Sequence, residues 1–478
     1  MTASDALCKA IESFHSNLDA LREFFDVAHP HLTKHEEENV KRLLPLAAIF
    51  QKVLQEPVAS QIKDDGEGEP MPDGVAPHVS VERKKEGRMV SYSVECDPGF
   101  DWAAFKGTID GVLRSRGGTK PDLLGRAALM LLASTAEWYA GQLFHALLEA
   151  QPERLNSSDM SLPFKELMKF DSIDDARHFV AEARIESILR GPVESWIDQL
   201  KKDAGLTASY IGPYRDDLVE AFVRRNVLVH NGGLVNAIYL NRVPSQSRSG
   251  VKHGDRLSVD KVYLENTINL TETVFVLLGS EVWKKLHPED NARPALLARI
   301  AFRHLEHQRW KLAEHLSQFI ANDRQATTEV ERQVAQINVW QARKWLGLEA
   351  VAVANEVRAT DASALAPVFR LARHALLDEH AECALLAKKL LRAGDVSLDD
   401  LQGWPLFREA RKHPQFAKLI DDIRARTKKK VARGVNPRPP KLTVTLPVGF
   451  LSEAAESDQR AKQMPERKAE SKPEKKRT

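Results

Sequence analysis

Arg225, Asn226 and His230 are the residues of this chain whose types and spacing suit proton transfer beside a developing anion. A histidine titrates near pH 6.5 and can give or take a proton near neutrality. An arginine stays charged and offers forked donors that match a phosphate. On a helix, Asn226 and His230 lie one turn apart on one face, and Arg225, about 100° round the axis, has the length to reach the same place.

The helix needed to carry them spans 214–229 and stops at Asn231-Gly232-Gly233, since glycine accepts the left-handed conformation that closes a helix. His230 then sits at a helix C-terminus, where a positive imidazole is also favoured by the helix dipole without any chemistry. Arg224 is the competing arginine, but Asp216, Glu220 and Arg224 recur every four residues and read as a solvated ion-pair stripe. An acidic partner is offered by Glu137, which with Ser134, Gly141 and His145 forms one polar stripe on the otherwise apolar helix 121–150. A carboxylate buried there needs a partner, so Glu137 is expected to meet Arg225 or His230. A salt bridge without a catalytic part remains open for it, and His145 reads as structural.

Arg225-Asn226, three residues and then His230 resemble the motif of the HEPN family, an arginine and a histidine separated by four to six residues with a polar residue after the arginine. The surrounding residues Glu220 to Gly232, then Val235-Asn236 and Tyr239, are similar to bacterial members, and the likeness covers roughly 120–285. The resemblance implies an up-and-down helical bundle that dimerises, with two sets of residues in one composite cleft. It also implies an endoribonuclease needing neither metal nor cofactor: a ribose 2′-OH attacks the adjacent phosphate and leaves a cyclic phosphate and a 5′-OH. In that scheme His230 moves protons, Arg225 stabilises the phosphorane, Asn226 orients, and Glu137 occupies the acidic position of an earlier core helix. Many relatives serve antiphage or toxin functions, so an effector role is the matching expectation. Two other readings stay open: a non-catalytic dimerisation, nucleotide-binding and interaction scaffold, and a chain modified or masked by a separate nucleotidyltransferase.

The elements around this segment are helical almost throughout. Ile11, Phe14, Leu18, Leu21 and Phe25 mark a first helix with Pro30 as its stop, and a second covers 36–55. Residues 64–77, rich in acids, glycine and proline, read as a linker, and alternation on both sides of Lys84-Lys85-Glu86-Gly87 predicts one small β-hairpin. Helices are predicted at 121–150, 174–190, 193–202, 214–229 and 259–286. After Pro294 come paired helices at 295–306 with 309–321, 328–346 with 348–359, and 363–376 with 379–393, a repeat of about 35 residues. Trp310, Ala313, Trp340, Ala342, Trp345 and Gly347 resemble the tetratricopeptide pattern only loosely. Trp404-Pro405-Leu406-Phe407 and Phe416 read as anchors closing the last repeat.

The expected organisation is therefore mainly α: an N-terminal helical region (1–63), a linker (64–77), the hairpin and its connection (78–118), the bundle (119–288), the repeats (294–423) and a disordered basic tail (424–478). That tail holds 16 Lys/Arg against 6 Asp/Glu, an excess of ten, so with a net charge of +2 the rest of the chain sums to −8. It is a candidate RNA contact or a solubilising tail. No apolar run approaches the roughly 18 residues of a membrane helix, and three dispersed cysteines suggest reduced thiols, so a cytoplasmic protein without membrane contact is expected. RNA as substrate, a second copy of the chain, and a protein docked on the repeats are the partners these features point to. The sequence contains no Gly-rich phosphate loop, no zinc-protease motif and no serine-hydrolase elbow.

Overall fold

Periodic apolar residues with few internal breakers yield a mainly α protein. The computed structural model describes residues 3–55, 79–86, 89–96, 119–157, 162–248, 250–347, 350–360 and 366–432. The predicted linker, the connection 97–118 and the sequence beyond 432 lie outside the described residues. Helix α1 (Ala3–Gln55) is continuous. The expected stop at Pro30 is corrected: Pro30 and Asp26, whose carbonyl loses its partner amide, are both on the exposed side of the helix. Water can satisfy that carbonyl, and the fixed φ of proline is itself helical. Strands β1 (Val79–Glu86) and β2 (Met89–Cys96) pair antiparallel from Val79 opposite Cys96 to Glu86 opposite Met89.

The remaining longer helices up to residue 393 follow the predicted periodicity; the short helices at 164–167, 237–242 and 398–403 and the helix at 414–432 were not predicted. In chain order the helices are α2 (Lys120–Ala150), the short α3 (Phe164–Leu167), α4 (Ile173–Leu189), α5 (Val193–Ala204), α6 (Arg215–His230), α7 (Ala237–Arg242) and α8 (Lys261–Leu286). The paired helices are α9 (Ala292–Glu306) with α10 (Trp310–Ala321), α11 (Glu329–Leu346) with α12 (Ala350–Ala359), and α13 (Pro367–Leu376) with α14 (His380–Ala393). After them come α15 (Leu398–Gly403) and α16 (Pro414–Ala432). Helix α16 extends past residue 424, which corrects the expected start of the disordered tail.

Two compact units divide the chain, and they do not follow its linear order. One comprises 1–15, 136–215 and 269–478; the other comprises 16–135 and 216–268. The start of α1 is thus part of a core shared with α2 and α8. Phe14 stacks on Tyr139 at 4.3 Å and meets Phe275 edge-on at 6.1 Å, all three rings being fully buried. Gly279 on α8 permits the close approach of α2: a Cβ there would stand 1.9 Å from the Tyr139 hydroxyl.

The repeats in this unit are built on recurring turns. The leading helix of each pair is followed by a residue in the left-handed region, Gln308 (φ 60°), Gly347 (φ 74°) and Asp378 (φ 58°). After the first and third pairs' leading helices the same bond recurs, Arg309 N–H to His304 O and Glu379 N–H to His374 O. Phe407 and Phe416 stack at 5.8 Å inside the same apolar cluster as Phe369, Leu371 and Leu390, so the predicted anchors are core residues of the last repeat. A buried ion pair, Arg293 to Asp323, ties the start of α9 to the end of α10.

Candidate functional site at the end of helix α6

Helix α6 ends where the sequence places its stop. Gly232 (φ 60°) and Gly233 (φ 85°) take left-handed conformations, and the amides of Asn231 and Gly233 both bond the Val227 carbonyl. From there the chain runs beside 254–257: Val235 N–H bonds Asp255 O, and Leu257 N–H bonds Gly233 O. Asn236 caps α7 by accepting the Tyr239 amide at 2.9 Å. These bonds hold a rigid shelf around the last turn of α6.

On that turn Arg225 and Asn226 are half-buried and His230 is exposed. The Arg225 Nε–H is buried with no hydrogen-bond partner among the described residues, a donor that an anion can satisfy. Two further arginines close on the glycine turn: Arg256 donates to the Gly232 carbonyl at 3.4 Å, and the Arg126 guanidinium, paired with Asp122, lies 3.8 Å from where a Gly233 Cβ would be. Arg126 and Arg256 are distant in sequence from the motif, and no local spacing marks them. The turn is thus flanked by two guanidinium groups, one of them paired with Asp122.

The reading of Glu220 and Arg224 as a solvated stripe is overturned. Both are buried, at 4% and 8% exposure, and Glu220 is the centre of a network. It accepts hydrogen bonds from Arg224 Nε at 2.7 Å, Tyr239 Oη at 2.7 Å and Tyr263 Oη at 2.6 Å. Arg224 also donates to the Ser258 carbonyl and lies over the Tyr263 ring at 4.0 Å. Four-residue spacing is the same for a surface pair and a buried one; only the residues packed over it decide which it is. Burial pushes both tyrosine hydroxyls well above their usual range, and the Glu220 charge pushes the same way. Burial would lower the Arg224 pKa, but Tyr263 and Glu220 outweigh it and raise it. The network bolts α6 to α7 and α8 one turn before Arg225.

Glu137 belongs to the other unit. It is half-buried on α2 and makes no hydrogen bond or ion pair among the described residues. The stripe it belongs to is not buried as expected: Ser134 and His145 are exposed, while Gly141 packs against Leu189 and Ile185. Most of the circumference of α2 is buried as its apolar residues suggested, Leu129, Ala133, Ala140, Phe144 and Leu148 included, and Ser134 and His145 lie on the part that is not. No helix among the described residues is long and apolar enough to cross a membrane. Comparison of the chain with known protein families, with curated proteins and with solved structures found no match.

Proposed function

We propose that the chain is an endoribonuclease of the HEPN type that cleaves RNA at the C-terminal end of α6. The observation that carries this reading is the buried Nε–H of Arg225, without a partner among the described residues, on the same helix turn as Asn226, with Arg126 and Arg256 at the glycine turn that follows. Such an arrangement supports binding of a phosphodiester. In the reaction a ribose 2′-oxygen forms a bond to phosphorus while the bond to the 5′-oxygen breaks. His230 takes the 2′-OH proton, and a proton is delivered to the leaving 5′-oxygen by the same residue or by His230 of a second copy. Arg225 offsets the charge of the phosphorane, and Asn226 orients it.

The repeats fit a docking role for a partner. A cavity of about 780 Å³ runs among α9, α11, α13 and α15. Its floor includes Phe302, Leu371 and Phe407, and its lining contains Glu306, Glu331, Asp395, Asp399 and Asp400 but no Lys or Arg. Burial raises the Glu306 carboxyl above its usual range. Apolar walls with an acidic rim suit a basic, amphipathic segment.

One observation favours the non-catalytic scaffold: His230 is exposed at a helix C-terminus, where it needs no chemistry to be stable. Labelled RNA incubated with the full chain in EDTA separates the two. Cleavage that persists in EDTA and is lost in both Arg225→Ala and His230→Ala supports the nuclease. Cleavage unchanged in both variants, or none by the wild type in EDTA while circular dichroism still shows folded protein, rejects it.

A further inference from the structure

We propose that His15, Glu272 and His304 form a binding site for a single divalent transition-metal ion of the zinc type. The three residues come from three different helices, α1, α8 and α9, so their meeting is a product of tertiary packing and not of local spacing. They are 8%, 0% and 0% exposed, and all lie in the same compact unit. One ligand atom from each falls within 4.8 Å of the other two. His15 Nδ1 stands 2.6 Å and His304 Nε2 3.1 Å from Glu272 Oε1, and the two imidazole rings are nearly perpendicular, at 85°.

Two imidazole nitrogens and a carboxylate oxygen are a donor set that zinc takes readily, with bonds of about 2.0–2.2 Å. Ligands of a tetrahedral ion at those lengths are separated by roughly 3.3 Å. The Glu272–His304 distance is already close to that, and the Glu272–His15 distance needs to open by less than about 1 Å, within reach of a carboxylate rotation. Nitrogen donors argue against magnesium or calcium, which prefer all-oxygen shells. Three protein ligands leave one position of a tetrahedral ion for water. A metal here clamps the N-terminal turns of α1 to α8 and to the first repeat helix, and it replaces the hydrogen bonds that now join the three side chains. The proposal is independent of the ribonuclease reading.

The test uses the full chain expressed without a histidine tag, dialysed against a chelator and titrated with zinc chloride and, separately, cobalt chloride. One equivalent of zinc, a raised melting temperature and the visible absorption bands of four-coordinate cobalt are expected. His15→Asn and His304→Asn should abolish the cobalt bands and weaken zinc binding by at least about 100-fold. A wild type that takes up well below one equivalent, as a purely hydrogen-bonded triad would, overturns the proposal. So does a cobalt spectrum that survives in both variants. Should the variants not fold, the stoichiometry and cobalt spectrum of the wild type decide.

Discussion

His230 and Glu220 lie on one helix yet should behave as opposites when altered. His230 is exposed, so His230→Ala should change stability by less than about 0.5 kcal/mol, whereas general acid-base catalysis lost with it should cost about 10²–10⁴-fold in cleavage rate. Glu220→Ala leaves Arg224 buried without its carboxylate and should cost about 3–5 kcal/mol in chemical denaturation. A loss of cleavage on His230→Ala that merely tracks unfolding would remove the catalytic argument. At this scale the sequence could nominate Arg225, Asn226 and His230, because their spacing on a helix is fixed by local geometry. It misjudged Glu220 and Arg224, whose partners Tyr239, Ser258 and Tyr263 come from other segments.

At the scale of the helices, two glycines set how closely they pack. Gly279→Ala should destabilise by about 1–3 kcal/mol through overpacking, although an alanine in an unhindered helix would stabilise by up to about 1 kcal/mol. The clash is with the Tyr139 hydroxyl, which is buried without a hydrogen-bond partner among the described residues. Tyr139→Phe should therefore recover much of the loss, and a double-mutant cycle showing simple additivity would contradict this packing. Gly125→Ala has no such remedy, because its Cβ would stand 2.0 Å from the Val259 carbonyl oxygen, a backbone atom. The longer helices up to residue 393 were legible from three- and four-residue periodicity, whereas α3, α7, α15 and α16 were not. The continuity of α1 through Pro30 was not, since a proline stops a helix only where the lost hydrogen bond cannot be made good by water.

At the scale of the whole molecule, the buried tyrosines make stability depend on alkaline pH. Burial raises the hydroxyl pKa of Tyr139, Tyr210, Tyr239 and Tyr263. A raised folded-state pKa stabilises the fold fully below the unfolded value, near 10, and that contribution is lost as pH climbs beyond it. Stability should thus hold to about pH 10 and decline above it. Of the six tyrosines in the chain, these four should ionise only together with the loss of helical circular dichroism. Tyrosinate absorbance rising smoothly for all six before any unfolding would contradict the assignment.

Periodicity along the chain was enough for the helical class, most of the longer helices, the pairing of helices after Pro294 and the placing of Arg225, Asn226 and His230 at the end of α6. Each of these rests on relations between residues a few positions apart, which backbone geometry fixes without reference to the rest of the chain. Packing between distant segments was needed to show that 1–15 shares a core with 136–215 and 269–478, that Arg126 and Arg256 flank the glycine turn after Arg225 and His230, and that His15, Glu272 and His304 converge. These depend on which helix faces meet, and residues separated by hundreds of positions carry no local mark of it.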